Sequence, residues 1–266
     1  MFVGREAELA KLESLYEQRS FQMAVVYGRR RVGKTTLINE FCRGKRTLSF
    51  TALEQSDADN LADFNRAIAS FFNLPASLSG FLSWTDALSF VADRARTERF
   101  IFVFDEFPYA AMRNEALPSI FQVAIDRAFK ETDAFLILCG SNQGFMESNV
   151  LGRKSPLFGR RTAQIKVRDL GFKDAAKMLS GLSAQDAFKF YGCFGGVPYY
   201  LQQLDPSAGL KENLARLYFD PMGFLYGEPE GLIRQEFQEP AIYNSILRAV
   251  AAGANRAKQI ADRVGV

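Results

Sequence analysis

The sequence predicts a doubly wound α/β domain with a parallel sheet of about five strands, followed by a purely helical part. The grounds are an alternation, an apolar pattern and a boundary. Five short apolar runs, QMAVVYG, RTLSFTAL, RFIFVFDE, AFLILCGSN and TAQIKV, alternate with helix-compatible segments over the first 168 residues. Parallel strands joined by crossover helices require such alternation. The runs are almost continuously apolar, as expected of strands covered on both faces. Past residue 168 only helical patterns remain.

Taken in order, REAELAKLESLYEQ places Ala7, Leu9, Leu12, Leu15 and Tyr16 at roughly helical spacing, a helix over residues 5–18. QMAVVYG is a strand ending in Gly28, and KTTLINEFCRG is the helix after the glycine loop. RTLSFTAL is a second strand, NLADFNRAIASFF a helix and LPASLSG a loop. WTDALSFVADRAR is a helix with Thr85 as the expected N-cap. RFIFVFDE is a strand that stops at two carboxylates. A helix around LPSIFQVAIDRAF, the strand AFLILCGSN, a short helical or loop region and the strand TAQIKV complete the sheet. The helices GFKDAAKML, SAQDAFKFYGCF, GVPYYLQQL and LKENLARLYFD follow, then a final pair, AIYNSILRAVAAG and RAKQIADRVGV.

Composition excludes several chemistries. The 266 residues include no histidine, so His-based acid–base catalysis, Ser-His triads and His-ligated metals are ruled out. Cys42, Cys139 and Cys193 are too scattered for a metal or disulfide framework, which points to a reducing cytoplasm. No apolar run approaches the length of a membrane span, so no membrane is expected as partner. A net charge of +3 is too mild to argue for nucleic acid by itself. The 25 phenylalanines are expected in the core.

Gly28-Arg29-Arg30-Arg31-Val32-Gly33-Lys34-Thr35 satisfies the phosphate-loop pattern G-x-x-x-x-G-K-[ST], between a strand and a helix as the mechanism needs. Backbone N–H groups of such a loop converge on phosphate oxygens, and the following helix, beginning through Thr36, adds its positive end. Lys34 is placed for the β- and γ-phosphates, and the Thr35 hydroxyl for Mg²⁺. At the end of FIFVFDE, Asp105 is the second metal-side group, and Glu106 is placed to polarise a water as general base. Ser141 or Asn142, ending another strand, is placed to contact the γ-phosphate or the water; a plain turn is the alternative. Arg160 and Arg161, just before the last strand, are candidates for transition-state charge stabilisation in cis or from a neighbouring copy, or are ordinary surface arginines. The fold is therefore expected to be a P-loop NTPase three-layer sandwich. No N-K-x-D segment appears, which disfavours a small GTPase.

The segments FVGREAEL, GRRRVGKTTL, FVFDEFPYA, GSN, LFGRRT and GGVPYYL, in this order, resemble the archaeal-type P-loop ATPases of the STAND and AAA+ group. The resemblance covers nearly the whole chain. It implies that the strand ending in GSN lies between the phosphate-loop strand and the FVFDE strand, and that a helical lid follows the core. It also implies that Val3, Gly4 and Arg5 sit near the adenine and that Pro198 packs on the base. Basic residues in the loop look typical of such proteins, so Arg29, Arg30 and Arg31 are expected to face solvent or nearby acids.

The expected organisation is a core over residues 1–168, a helical lid over 169–238 and a partial winged helix over 239–266. In the last segment QIADRVGV resembles the second helix and turn of a helix-turn-helix unit, which would make the chain a piece of a longer protein; a helical hairpin completing the lid is the alternative. The expected activity is Mg²⁺-dependent hydrolysis of ATP to ADP and phosphate, with the nucleotide driving a conformational switch. Two rivals remain: a DNA-associated regulatory module with a slow-turnover nucleotide, and a P-loop kinase acting on a small metabolite. The Asp-Glu pair and GGVP weigh against the kinase. A homo-oligomer is a possible further partner.

Overall fold

The structure is a computed structural model that describes residues 2–75, 80–236 and 239–265. Part of the loop read at LPASLSG and the boundary drawn at residue 238 fall outside them. The chain divides into two compact units. One comprises Met1–Met178 together with Gly196–Tyr199, the other Leu179–Gly195 and Tyr200–Val266.

The first unit contains helix α1 (Glu6–Tyr16), strand β1 (Gln22–Tyr27), α2 (Lys34–Cys42), β2 (Thr47–Thr51), α3 (Asp57–Phe72) and α4 (Trp84–Ala95). It continues with β3 (Ile101–Asp105), α5 (Phe107–Arg113), α6 (Leu117–Arg127), β4 (Phe135–Gly140), the single turn α7 (Gln143–Phe145), β5 (Ala163–Lys166) and α8 (Phe172–Met178). The strands form one sheet in the order β2-β3-β4-β1-β5, all neighbours parallel. The five-stranded parallel sheet is the one expected, and β4 lies between β3 and β1, as the family resemblance implied.

Alternation along each strand separates two apolar layers. Met23, Val25, Phe50, Phe102, Phe104, Leu136 and Leu138 face α3, α4, α5 and α6, where Phe64, Trp84, Phe107 and Phe121 meet them. Ala24, Val26, Ile101, Val103, Phe135, Ile137 and Cys139 face Leu12, Leu15, Leu37, Ile38 and Phe41 of α1 and α2. Every residue of β1, β3 and β4 is buried, which is why their sequences read as continuous apolar runs. Phenylalanines dominate the first layer; the rings of Phe50 and Phe104 meet edge-on with centroids 4.8 Å apart.

In the first unit three local features differ from the sequence expectation. The cap of α4 is Ser83, whose hydroxyl accepts from the backbone N–H of Asp86, not Thr85. Ser56 caps α3 in the same way, so that helix begins at Asp57, ahead of the expected start at Asn60. Helix α5, directly after the acidic pair, was not anticipated.

The second unit is helical among its described residues, with α9 (Ala184–Phe194), α10 (Pro198–Leu201, entered from the first unit), α11 (Gly209–Leu214), α12 (Glu228–Glu236), α13 (Pro240–Ala251) and α14 (Ala257–Val264). The nine-residue helix expected at GVPYYLQQL shortens to α10. The Nη1 of Arg263 in α14 donates to the carbonyls of Ala249 and Ala252 at the end of α13, at 3.3 and 3.2 Å. Among the described residues no helix is long and apolar enough to cross a membrane.

Candidate active site

Because the strands are parallel, their C-terminal ends share one edge of the sheet. Gly28 follows β1 there, Asp105 and Glu106 end β3, Ser141 follows β4 and Val167 follows β5. Open α/β sheets carry their ligands at this edge.

Gly28 leaves the sheet with φ +153°, and a Cβ on it would lie 2.2 Å from the carbonyl oxygen of Val167. That oxygen is fixed, since the Val167 N–H is bonded to the Tyr27 carbonyl at 2.7 Å. Only glycine fits. Gly28→Ala is expected to cost about 3 kcal/mol or more, seen as a lowered thermal midpoint together with loss of nucleotide binding in a titration.

Arg31 and Gly33 also take positive φ, 68° and 93°, so the loop curls on itself before α2 begins. Gly33 is the N-cap of α2 and offers no side-chain acceptor, so the first N–H groups of α2, at Lys34, Thr35 and Thr36, are directed to the loop's mouth. Lys34 is 6% exposed, and its ammonium donates to the carbonyls of Gly28 and Arg29 at 2.9 and 3.0 Å. Burial pushes its pKa down; Cys139, Glu106 and Asp105 oppose that shift, while Arg30 adds to it.

Asp105 is buried at the end of β3. One carboxylate oxygen accepts from the Thr35 hydroxyl at 3.3 Å and the other from the Glu106 N–H at 2.9 Å. A hydroxyl and a carboxylate drawn together beside a phosphate loop are hard oxygen donors, and they fit Mg²⁺ with its remaining positions filled by phosphate and water. Among the described residues no group of three or more His, Cys, Asp or Glu gathers to hold a metal ion.

Glu106 is the N-cap of α5 with φ 50° and ψ 43°, a left-handed conformation that turns the chain from strand to helix without a loop. Its Oε2 accepts from the Ser141 N–H at 3.1 Å and from the Ser141 hydroxyl at 2.8 Å. Gly140 makes this approach possible. A Cβ there would lie 2.7 Å from both Pro108 Cδ of α5 and Met146 Sδ. Ser141 thus reaches the acidic pair, whereas the Asn142 side chain caps α7 by accepting from the Phe145 N–H at 2.9 Å.

The N-terminal segment also comes to the loop. Arg5, itself left-handed with φ 80°, donates to the Val32 carbonyl at 3.0 Å and to that of Arg168. Gly4 lies against the Asp174 side chain. Pro198 approaches Gly33, its Cγ 3.9 Å from the position a Cβ would take, and the Gly196 carbonyl accepts from Leu170 N–H at 2.8 Å. Val3 adjoins this segment and is half-buried.

Arg160 and Arg161 are not brought to this edge. They precede β5, whose neighbour Thr162 bonds to Met23 near the start of β1, so they stand at the opposite end of the strands. Arg160 pairs with Asp126 of α6 at 2.5 Å and donates to the Pro156 carbonyl; Arg161 reaches the Leu151 carbonyl. The Arg160 pairing, helped by Lys130, holds the Asp126 carboxyl below its ordinary range. Within this chain both side chains lie at the edge of the sheet away from the phosphate loop.

The match to known proteins agrees with this arrangement. Residues 2–204 match the model of an ATPase domain found predominantly in archaea. The chain is 32% identical over 267 residues to the protein MJECL04 of Methanocaldococcus jannaschii, covering all of this chain and 57% of that one, so it spans little more than half of that relative. The ATP-binding protein MJ0423 of the same organism is 46% identical over 46 residues, 17% of this chain and 78% of its own. Among solved structures, the Walker-type ATPase PABY2304 of Pyrococcus abyssi superposes with a TM-score of 0.70 at 20% identity, over 99% of this chain and 84% of that one. The ORC1 protein of Aeropyrum pernix, solved in complex with DNA, gives 0.56 at 17% identity, over 100% and 77%. With a phosphate loop, an acidic strand end and the expected strand order in place, the chain belongs to the archaeal-type P-loop ATPase family.

Proposed function

We propose that this chain binds ATP with Mg²⁺ and hydrolyses it to ADP and phosphate. The observation that carries the reading is the convergence of Lys34, Thr35, Asp105 and Glu106 at one sheet edge, with Ser141 bonded to Glu106.

Thr35 and Asp105 would hold the cation, which when bound supplies positive charge to the β- and γ-phosphates. The loop N–H groups from Arg29 to Thr36 cradle the phosphates. Lys34 exchanges its two loop carbonyls for phosphate oxygens. Glu106 accepts the proton of the attacking water, and the two bonds from Ser141 fix its carboxylate for that task. Val3, Gly4, Arg5 and Pro198 form the side of the site that receives the base.

On this reading residues 1–168 are the ATPase core, 169–238 a helical lid and 239–266 the start of a winged helix. The nucleotide biases the lid between two arrangements, and Arg160 and Arg161 act only in an assembly of copies. Residues 196–199 group with the first unit while both flanks belong to the second. On this reading Pro198, whose Cγ approaches Gly33, reports the bound nucleotide.

A second reading, a DNA-associated module, draws on the exposed Arg248, Arg256, Lys258 and Arg263 of α13, α14 and the turn between them. One experiment addresses both. Phosphate release from ATP is measured with Mg²⁺, with chelator, and with Mg²⁺ plus duplex DNA at low salt. Release that needs Mg²⁺ is expected; ATP bound without release in any arm overturns the hydrolase. Stimulation by DNA that fades as salt rises supports the second reading, and indifference to DNA at low salt removes it.

A further inference from the structure

Three consecutive arginines in a phosphate loop place three positive charges beside Lys34, and the structure sends their side chains three different ways. Arg29 pairs with Asp169 at 3.0 Å, the two side chains 34% and 41% exposed. The Arg31 guanidinium lies over the Tyr199 ring, 5.4 Å from its centroid. Arg30 donates to the hydroxyl of Tyr109.

The third contact differs in where it leads. Tyr109 lies in the first turn of α5, and its N–H is bonded to the Glu106 carbonyl at 3.0 Å. Glu106 caps that helix and carries the carboxylate assigned to the water. Arg30 therefore stands where the helix behind Glu106 begins, while its own backbone belongs to the loop that receives the phosphates. From that side its charge reaches the Lys34 ammonium, together with those of Glu106 and Asp105.

A guanidinium offers five donors in a rigid plane, and Tyr109 engages one nitrogen. Two like charges in one small loop repel, and an anion bound beside both would offset that repulsion.

We propose that Arg30 is a catalytic residue of this site: steadied by Tyr109 beside Glu106, its guanidinium donates to the oxygens of the terminal phosphate. The inference rests on the ATPase reading above. In the step it assists, water forms a bond to the γ-phosphorus and gives its proton to Glu106. The bond from that phosphorus to the bridging oxygen breaks, and ADP departs with the electron pair. Arg30 keeps its protons throughout and meets the charge that builds on the phosphoryl oxygens. It fills in cis the role that Arg160 and Arg161, at the far end of the sheet, leave vacant.

The test compares wild type, Arg30→Ala, Arg30→Lys and Tyr109→Phe. It reads single-turnover phosphate release, affinity for ADP, and affinity for ADP with aluminium fluoride, which mimics the phosphoryl group in flight. Arg30→Ala should lower release by about a hundredfold and weaken the fluoride complex to a similar degree, with ADP affinity within about threefold of wild type. Arg30→Lys should recover part of the loss. Tyr109→Phe keeps the guanidinium and should lose less than about tenfold. Fluoride-complex affinity unchanged in Arg30→Ala overturns the proposal. So does a Tyr109→Phe loss equal to that of Arg30→Ala, which would make Arg30 a brace for α5. If wild type binds ADP and the fluoride complex but releases no phosphate, the hydrolase reading falls while the fluoride arm still decides the role of Arg30. If wild type binds no nucleotide, both fall.

Discussion

Replacing Glu106 by glutamine is expected to lower phosphate release by about a hundredfold to a thousandfold while ATP affinity stays within about threefold of wild type. Glutamine keeps the length and the carbonyl oxygen that accepts from the Ser141 N–H and hydroxyl, so it holds the same place. It takes the left-handed backbone at the cap of α5 at much the same cost as glutamate. What it lacks is the ability to accept a proton. Lys34, Thr35 and Asp105, which hold phosphate and cation on this reading, keep their contacts. A loss confined to turnover therefore isolates the proton-transfer role. Release at the wild-type rate would remove Glu106 from the chemistry, and equal losses of turnover and affinity would make it a structural cap. The measurement is single-turnover phosphate release beside an equilibrium titration with ATP.

The sequence carried the sheet and the phosphate side of the site because both are written locally. β1, β3 and β4 are buried on both faces and so are continuously apolar, and the loop pattern lies between a strand and a helix. The rest depended on contacts between distant segments. Helix α5 spans seven residues with Pro108 near its start, too short for a periodic signal, and Gly140 leaves the room for it. The choice between Ser141 and Asn142 stayed open for the same reason. Asn142 caps the next turn, a signal present in its spacing to Phe145, which leaves Ser141 for Glu106. For Arg160 and Arg161 a role in cis, a role from a neighbouring copy and a plain surface position were all open in the sequence, and chain direction bears on the first. Residues that precede a strand of a parallel sheet lie at the edge away from the loop, so position before β5 argued against the site. The basic loop looked typical of the family, so no one arginine stood out; the Tyr109 contact distinguishes Arg30 from the other two.

Lys34→Met should separate the cost of the loop from its use. The wild-type ammonium is buried, and its pKa is depressed chiefly by that burial. The folded chain then gives up this proton more readily than the unfolded one. Between the lowered folded value and the ordinary 10.5 the unfolded chain binds more protons, so this group's contribution to stability rises with pH. At neutral pH the folded protein carries the penalty of a buried charge, offset by two bonds to the Gly28 and Arg29 carbonyls and by the nearby Glu106 and Asp105 carboxylates. Methionine removes both the penalty and the bonds. Without nucleotide, the variant should melt within about 4 °C of wild type, a net change of about 1 kcal/mol. As pH rises toward 10.5, wild type should gain stability relative to the variant. With ATP the two should part company. Saturation at about a hundred times Kd stabilises a binding protein by about 2.7 kcal/mol, and the variant should show none of that shift. A variant that melts far below wild type without nucleotide would make Lys34 a structural tie across the loop, and one that keeps the full shift would show that the phosphates are held elsewhere. The expected combination, a little-changed empty protein that no longer responds to ATP, follows from a lysine whose burial is offset in the empty protein by the loop carbonyls and by the charges of Glu106 and Asp105, and whose further partner is phosphate.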